Sequence, residues 1–277
     1  MAYKWQHWLP VGYLRRFTHD PAVNNRKASV WRFDGTSSKL VKAVKECAGN
    51  HTYSSSRPAH AETSFHEMEN DFPRLIDNVQ RGEQLTRREQ YQLLLILFDF
   101  HLRNVAHDVL SNEERFDAYQ RAAWHFACQV CAGVTTDDFQ VLCDSMAARW
   151  TVVIVTSDTT RFLTSDHPTL LFSAGEDLVS AAMLPVSPSS LLFAFRSDRI
   201  SQSSSKATVT DVGLLNGLQC KQSIAAIYSD HALTKSEEAS AEKWFLKRSH
   251  NSSFEDEAFN FSTLPLLADE FSFFELA

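Results

Sequence analysis

The stretch WTVVIVTSDTTRFLTSDHP, residues 150–168, is where the chain changes its hydrophobic period. Upstream, apolar residues recur every three or four positions, the spacing of a helix face; from Trp150 they alternate, the spacing of a strand. Trp150–Thr156 and Arg161–Thr164 therefore read as strands around the turn Ser157-Asp158-Thr159-Thr160. Beyond them, strands are expected at Met183–Val186, Ser190–Phe195 and Ile224–Ser229, and helices near Thr210–Leu218 and Glu237–Lys247. Residues 197–205 are expected to be a polar loop.

Working back from Trp150, the helical period covers four segments. Phe65, Met68, Phe72, Leu75, Ile76 and Val79 form a stripe that closes at Gly82, with Pro73 inside it as an expected kink or break. Thr86-Arg-Arg-Glu89 has the spacing of a capping box. The helix it opens carries Tyr91, Leu93–Phe98, Phe100 and Leu102, apolar almost all round, and should be the most buried one. Ser111–Glu114 opens a third helix through Val130, and Asp137–Ala148 is a fourth. Ahead of them, residues 28–34 read as a strand ending at the Asp34-Gly35 turn, and 39–45 as a second strand. The order gives an α+β fold, with a helical bundle inserted between an N-terminal β segment and a C-terminal, mostly antiparallel sheet. A single α+β domain is expected over 1–250: a helical part at about 60–148 and a sheet part at about 28–46 and 150–230. An acidic, aromatic tail over 251–277 follows it.

With 277 residues, 44% of them apolar, the chain can bury a large core. The longest apolar run, Leu93–Phe98, stops at Asp99, so no membrane span is expected. The five cysteines follow no disulfide framework and the start has no secretory pattern, which points to the cytoplasm. Net charge is −7, yet residues 1–60 hold ten Lys/Arg against three acids. That +7 quarter can attract phosphates, or it can be neutralised internally by the acidic remainder. With 8 glycines and no Gly-rich phosphate loop, Gly-x-Ser-x-Gly or dinucleotide fingerprint, the folds built on such loops are disfavoured.

Several short motifs place polar residues in apolar frames. Gln6-His7 is followed by Pro10, Tyr13-Leu14, Arg15-Arg16 and Phe17. Trp31–Asp34, a Glu pair at Glu62 and Glu69, Arg103, Thr-Ser-Asp-x-Pro at Thr164–Pro168 and Pro-x-Ser-Pro at Pro185–Pro188 come next. In this order they resemble a widespread microbial domain-of-unknown-function family. Its signature is (His/Gln)-His-x-x-Pro-x-x-(Tyr/Phe)-Leu-(Arg/Lys), and the likeness spans roughly residues 5–230. The chain departs from that pattern in having Gln6 where many members have a first His, and His101 where a Gln is usual. The resemblance implies positions rather than a reaction.

The residues themselves allow chemistry. Glu62, His66 and Glu69 lie at i, i+4 and i+7, a helix flank that can hold a divalent cation, share a proton, or simply face solvent. On the apolar helix, Gln92, Asp99 and Arg103 share a stripe where polar groups must be paired; an Asp99–Arg103 ion pair and a phosphate-binding Arg103 both satisfy it. Arg103-Asn104 to His107 approaches the Arg-polar-x-His motif of helical-bundle ribonucleases but is too short for it. Asp166 sits where a strand ends, as a metal ligand, a general base or the holder of an Asx turn.

The leading expectation is a phosphodiester hydrolase, a nuclease acting in phage defence or as a toxin. Its catalytic set is His7, Glu69, Arg103 and Asp166. Glu62, Glu69 and Asp166 would hold a divalent metal such as Mg or Mn, and Gln6, Tyr13, Arg15, Arg16 and His51 would bind substrate. The alternatives are a non-catalytic module that binds nucleic acid or another anionic ligand, and a subunit docking on a protein partner through its Phe-rich acidic tail.

Overall fold

The computed structural model describes residues 5–7, 9–20, 27–50, 58–105, 139–173, 179–223, 225–246, 264–265 and 271–276. The chain opens with β1 (Trp5–His7), a helical turn α1 (Val11–Leu14) and a 3-10 turn (Arg15–Phe17). Then come β2 (Ser29–Phe33), β3 (Ser38–Lys42), α2 (Ala43–Glu46) and β4 (Ala48–Asn50). The helical part contains α3 (Pro58–Gln80), α4 (Arg87–Val105) and α5 (Phe139–Arg149). The C-terminal part runs β5 (Trp150–Thr156), β6 (Thr164–Ser165), β7 (Leu170–Ser173), β8 (Val179–Ser187), β9 (Ser190–Arg196), β10 (Ile200–Gln202), α6 (Val209–Gln222), β11 (Ile227–Ser229) and α7 (Lys235–Phe245). Two short strands, β12 (Leu264–Pro265) and β13 (Phe274–Leu276), close it. This is the expected α+β class, with helices lying between β segments.

The larger sheet has the order β12-β7-β8-β9-β5, antiparallel except for the β12–β7 edge. Its middle strands are buried on both faces, which is why residues 191–195 read as an unbroken apolar run. One face (Leu171, Ala182, Leu184, Val186, Leu192, Ala194) packs with Leu93, Leu94, Ile96, Leu97 and Phe100 of α4. The other (Leu170, Phe172, Ala181, Met183, Leu191, Phe193) packs with Val212 and Leu215 of α6 and with Phe271, Phe273 and Phe274. Those three phenylalanines of the expected tail thus belong to the chain's own core; Phe254, Phe259 and Phe261 lie outside the described residues. The smaller sheet, β3-β2-β11-β6, joins the N-terminal strands to the C-terminal part.

Local sequence explains most boundaries. Thr86 and Glu89 make both capping-box bonds, Glu89 N–H to Thr86 Oγ1 at 3.2 Å and Thr86 N–H to Glu89 Oε2 at 3.0 Å. Bonding to Arg74, then to Thr86, holds the Glu89 carboxyl down at about 2. The expected strand over 39–45 ends at Lys42: Ala43 N–H makes one further bond across to the Ala28 carbonyl, and the helical turn α2 then begins. The expected strand 161–164 shrinks to Thr164–Ser165: Phe162 N–H bonds the Pro188 carbonyl and Leu163 N–H the Asn216 side chain, so neither joins a ladder. Pro73 does not divide its helix, which is assigned without a break from Pro58 to Gln80. The expected helix over 111–130 lies outside the described residues. Among the described residues no helix is long and apolar enough to cross a membrane.

Helix α6 meets the Trp244 indole of α7 at Gly217. A Cβ there would overlap the Trp244 indole, so only glycine lets the helices meet. Gly217→Ala is expected to cost about 1–3 kcal/mol, read from the denaturant midpoint. The same change on a Trp244→Leu background should cost less. Equal losses in both backgrounds would show that the indole is not the obstacle.

Candidate functional site

β1 pairs antiparallel with β4, with His7 opposite Ala48, and the bond from Leu9 N–H to the Cys47 carbonyl extends the contact. The His7 position is thereby fixed one residue from Cys47. The Cys47 thiol is fully buried; burial, then the charges of Glu46 and Glu69, pushes its pKa well up. Glu69, on α3 and half-buried, therefore lies within electrostatic reach of Cys47. Such a thiol stays protonated and is no nucleophile.

Tyr228 on β11 completes the group. It is 3% exposed, and its hydroxyl donates to Glu46 Oε2 at 3.3 Å. Burial, then Asp166, Glu46 and Cys47, pushes its phenol pKa well up, while Arg32 opposes the shift. Arg32 Nε reaches Glu46 Oε2 at 3.1 Å, and the same guanidinium bonds Asp34 Oδ2 at 2.8 Å. Glu46 and Glu69 thus act on Cys47, and Asp166 and Glu46 on Tyr228, from three separate parts of the chain.

Asp166 is 7% exposed and faces the backbone of residues 225–226. Its Oδ2 accepts the Ala225 N–H at 2.6 Å and the Ala226 N–H at 3.3 Å, which anchors the turn after β6 to the start of β11. On the other side of that turn, His167 Nε2 lies 3.1 Å from His101 Nδ1 of α4, and His101 Nδ1 lies 3.2 Å from the Thr169 carbonyl. From α6, Gln219 donates to the Pro168 carbonyl at 2.6 Å and accepts from Ser165 Oγ at 2.7 Å, and Gln222 donates to the Thr169 carbonyl at 2.9 Å. Burial pushes His101 down to about 4. Burial and then the neighbouring His101 push His167 well down, so both rings are neutral at pH 7.

The other expected site residues separate into groups. Tyr13 is fully buried: its hydroxyl donates to the Pro185 carbonyl at 2.7 Å and shares a 2.5 Å bond with Thr164 Oγ1. A substrate contact by Tyr13 gives way to a packing role, because no face of the ring is accessible. Arg16 donates to the Val186 carbonyl at 2.8 Å and pairs with Asp77 at 3.2 Å, so it braces the 3-10 turn Arg15–Phe17 against β8 and α3. Its pair with Asp77 offsets one charge of the basic quarter with an acid from the remainder, whereas Arg32 pairs within that quarter, with Asp34 and Glu46. Arg15 stays partly exposed. Arg74–Glu89 and Gln92–Asp71 contacts run α3 and α4 antiparallel. The α4 backbone at Arg103 is thus carried toward the start of α3, near Glu62, whereas Glu69 lies level with Leu94. The side chains of Gln6, His7, Glu62 and Arg103, and all of His51, lie outside the described residues.

Among the described residues no three or more His, Cys, Asp or Glu are arranged to hold a metal ion. A Mg or Mn site at Glu62, Glu69 and Asp166 is therefore not preformed by described groups alone. Sequence reasoning missed Glu46, Cys47, Tyr228, Gln219 and Gln222. The glutamines did leave a signal: they continue the Val212, Leu215 stripe of α6 at i+7 and i+10, polar groups where apolar ones belong.

No curated protein and no solved structure matches the chain. A family profile matches residues 5–129 and 120–232, which together cover more than half of the chain. The chain belongs to the family described as "Protein of unknown function (DUF4238)".

Proposed function

We propose that this chain hydrolyses phosphodiester bonds of nucleic acid, as a nuclease of phage defence or a toxin. The observation that carries the reading is that the His7 backbone position and Glu69 are next to or within electrostatic reach of Cys47, and Asp166 within reach of Tyr228. A carboxylate from α3 in the field of Cys47 and one from the β6 turn in the field of Tyr228 would suit a general base for water or oxygen ligands of a divalent cation. His7 would move the proton, and Arg103, which the α3–α4 packing carries to the start of α3 near Glu62, would offset charge developing on phosphate. Glu62 would add a further oxygen ligand if Mg or Mn takes part.

The test is cleavage of DNA and RNA by the purified full chain, with Mg2+ or Mn2+ and with chelator. His7→Ala and Glu69→Gln are each expected to slow cleavage about 100-fold or more. Asp166→Asn keeps an oxygen for Ala225 N–H and should act likewise. No cleavage by the wild type, or full cleavage by the first two variants, would overturn the reading. A second reading, anion binding without cleavage, is favoured by the internal bonds of Asp166 Oδ2 to two backbone amides. It predicts saturable, salt-sensitive binding of nucleic acid that survives Glu69→Gln.

A further inference from the structure

His231, in the short link between β11 and α7, lies between two carboxylates. Its Nδ1 stands 2.8 Å from Asp230 Oδ1 and its Nε2 3.4 Å from Glu237 Oε1. A neutral imidazole has one N–H and can donate to only one of them; its other nitrogen would then turn a lone pair toward a carboxylate oxygen. Only the imidazolium, with two N–H groups, satisfies both.

The carboxylates are held in place by other bonds. Glu237 is the N3 residue of the α7 capping box, and its second oxygen, Oε2, accepts the Thr234 N–H at 2.7 Å and the Thr234 hydroxyl at 2.8 Å. Asp230 directly follows β11, and its Oδ2 lies 3.9 Å from Arg161 Nη1. Three further titratable or charged groups stand nearby. His19 Nδ1 is 3.3 Å from the Asp230 carbonyl, Lys235 is exposed in the first turn of α7, and Glu238 Oε1 accepts from Ser38 Oγ at 2.7 Å. Burial by itself would lower the His231 pKa, but the bonds to Asp230 and Glu237 and their charges outweigh it and raise the pKa above the ordinary histidine value. The helix fastened here matters to the fold, because Ala241 and Phe245 of α7 cover Phe33, Leu163 and Ile227.

We propose that His231 is a proton-dependent clasp: as imidazolium it bridges Asp230 and Glu237 and fastens the first turn of α7 to the end of β11, and loss of its proton loosens that turn. The folded-state pKa is the raised one. The stabilisation is therefore complete below the unfolded value, about 6.5, and is lost as pH rises through the folded one. The clasp acts on α7 and the apolar cluster beneath it, whatever reaction the chain carries out.

The test follows the full chain from about pH 6 to about pH 8 by NMR titration of the His231 ring and by amide hydrogen exchange. The ring is expected to titrate above the roughly 6.5 of an unperturbed histidine, with both nitrogens protonated at the acid end. The amides to watch are Glu237 N–H and Glu238 N–H, bonded to the Thr234 hydroxyl and carbonyl. Their protection, corrected for the intrinsic rise of exchange with pH, should fall about two- to fivefold over this range, the worth of partly exposed ion pairs. His231→Gln, which keeps a side-chain N–H, should hold the protection at its high-pH level throughout, while His19→Gln leaves the step in place. Asp230→Asn should move the ring's titration down toward that of an unperturbed histidine. A wild-type ring that titrates at or below that value, protection that stays constant over the range, or a step that survives His231→Gln would overturn the proposal.

Discussion

Tyr13→Ala is expected to destabilise the protein by about 3–5 kcal/mol, the cost of removing a large buried aromatic side chain. The Tyr13 ring lies 5.2 Å from Phe100, 5.8 Å from Phe17 and 6.1 Å from Phe72, so it joins the first helical turn to α3 and α4 in one aromatic cluster. Its hydroxyl reaches the opposite layer. Pro185 sits within β8, where the β8–β9 register shifts between Pro185 and Ser187, and its carbonyl accepts from Tyr13. Tyr13→Phe keeps the ring but removes a buried partner from both Pro185 and Thr164, at a cost of about 1–3 kcal/mol. Denaturant titration of the two variants measures both values. If Tyr13→Phe were as stable as the wild type yet lost nucleic-acid cleavage, the hydroxyl would belong to a substrate site after all.

That contrast marks what the opening motif could and could not say. Gln6-His7-x-x-Pro-x-x-Tyr-Leu-Arg-Arg announces polar groups held in an apolar frame, but whether a hydroxyl faces a ligand or a carbonyl 172 residues away depends on tertiary contacts. Period carried the long elements well: Trp150–Thr156 is observed over those residues, and the Thr86–Glu89 capping box makes both of its bonds. It failed for β1, β4, β12 and β13, because strands of two or three residues have no measurable period and pair with distant segments. The site divides in the same way. Glu69 and Asp166 were legible as acids flanking apolar runs. Cys47 and Tyr228 look like ordinary core residues in sequence and acquire their electrostatic setting only when β4, α3 and β11 meet.

Asp211→Ala is expected to cost about 3 kcal/mol and to release the C-terminal segment from the second core. Asp211 is 2% exposed at the start of α6 and accepts four hydrogen bonds. Thr208 gives its N–H at 2.6 Å and its hydroxyl at 2.7 Å; Ser272 gives its N–H at 2.8 Å and its hydroxyl at 2.6 Å. One carboxylate therefore both caps a helix and fixes the chain between Phe271 and Phe273, whose rings pack with Phe193 and Phe172. Burial alone would raise its pKa, but the bonds from Ser272 and Thr208 outweigh burial and hold it below the usual aspartate value. A folded-state value below the unfolded one gives stability that is complete above the unfolded pKa and is lost as pH falls through the folded one. Wild-type stability should therefore drop below about pH 4, and this part of the acid slope should vanish in Asp211→Asn, which has one acceptor oxygen in place of two. Dye binding to exposed aromatic surface should rise in Asp211→Ala near neutral pH while far-ultraviolet dichroism stays close to that of the wild type. An acid slope unchanged by Asp211→Asn would mean that the C-terminal segment is held by its phenylalanines alone.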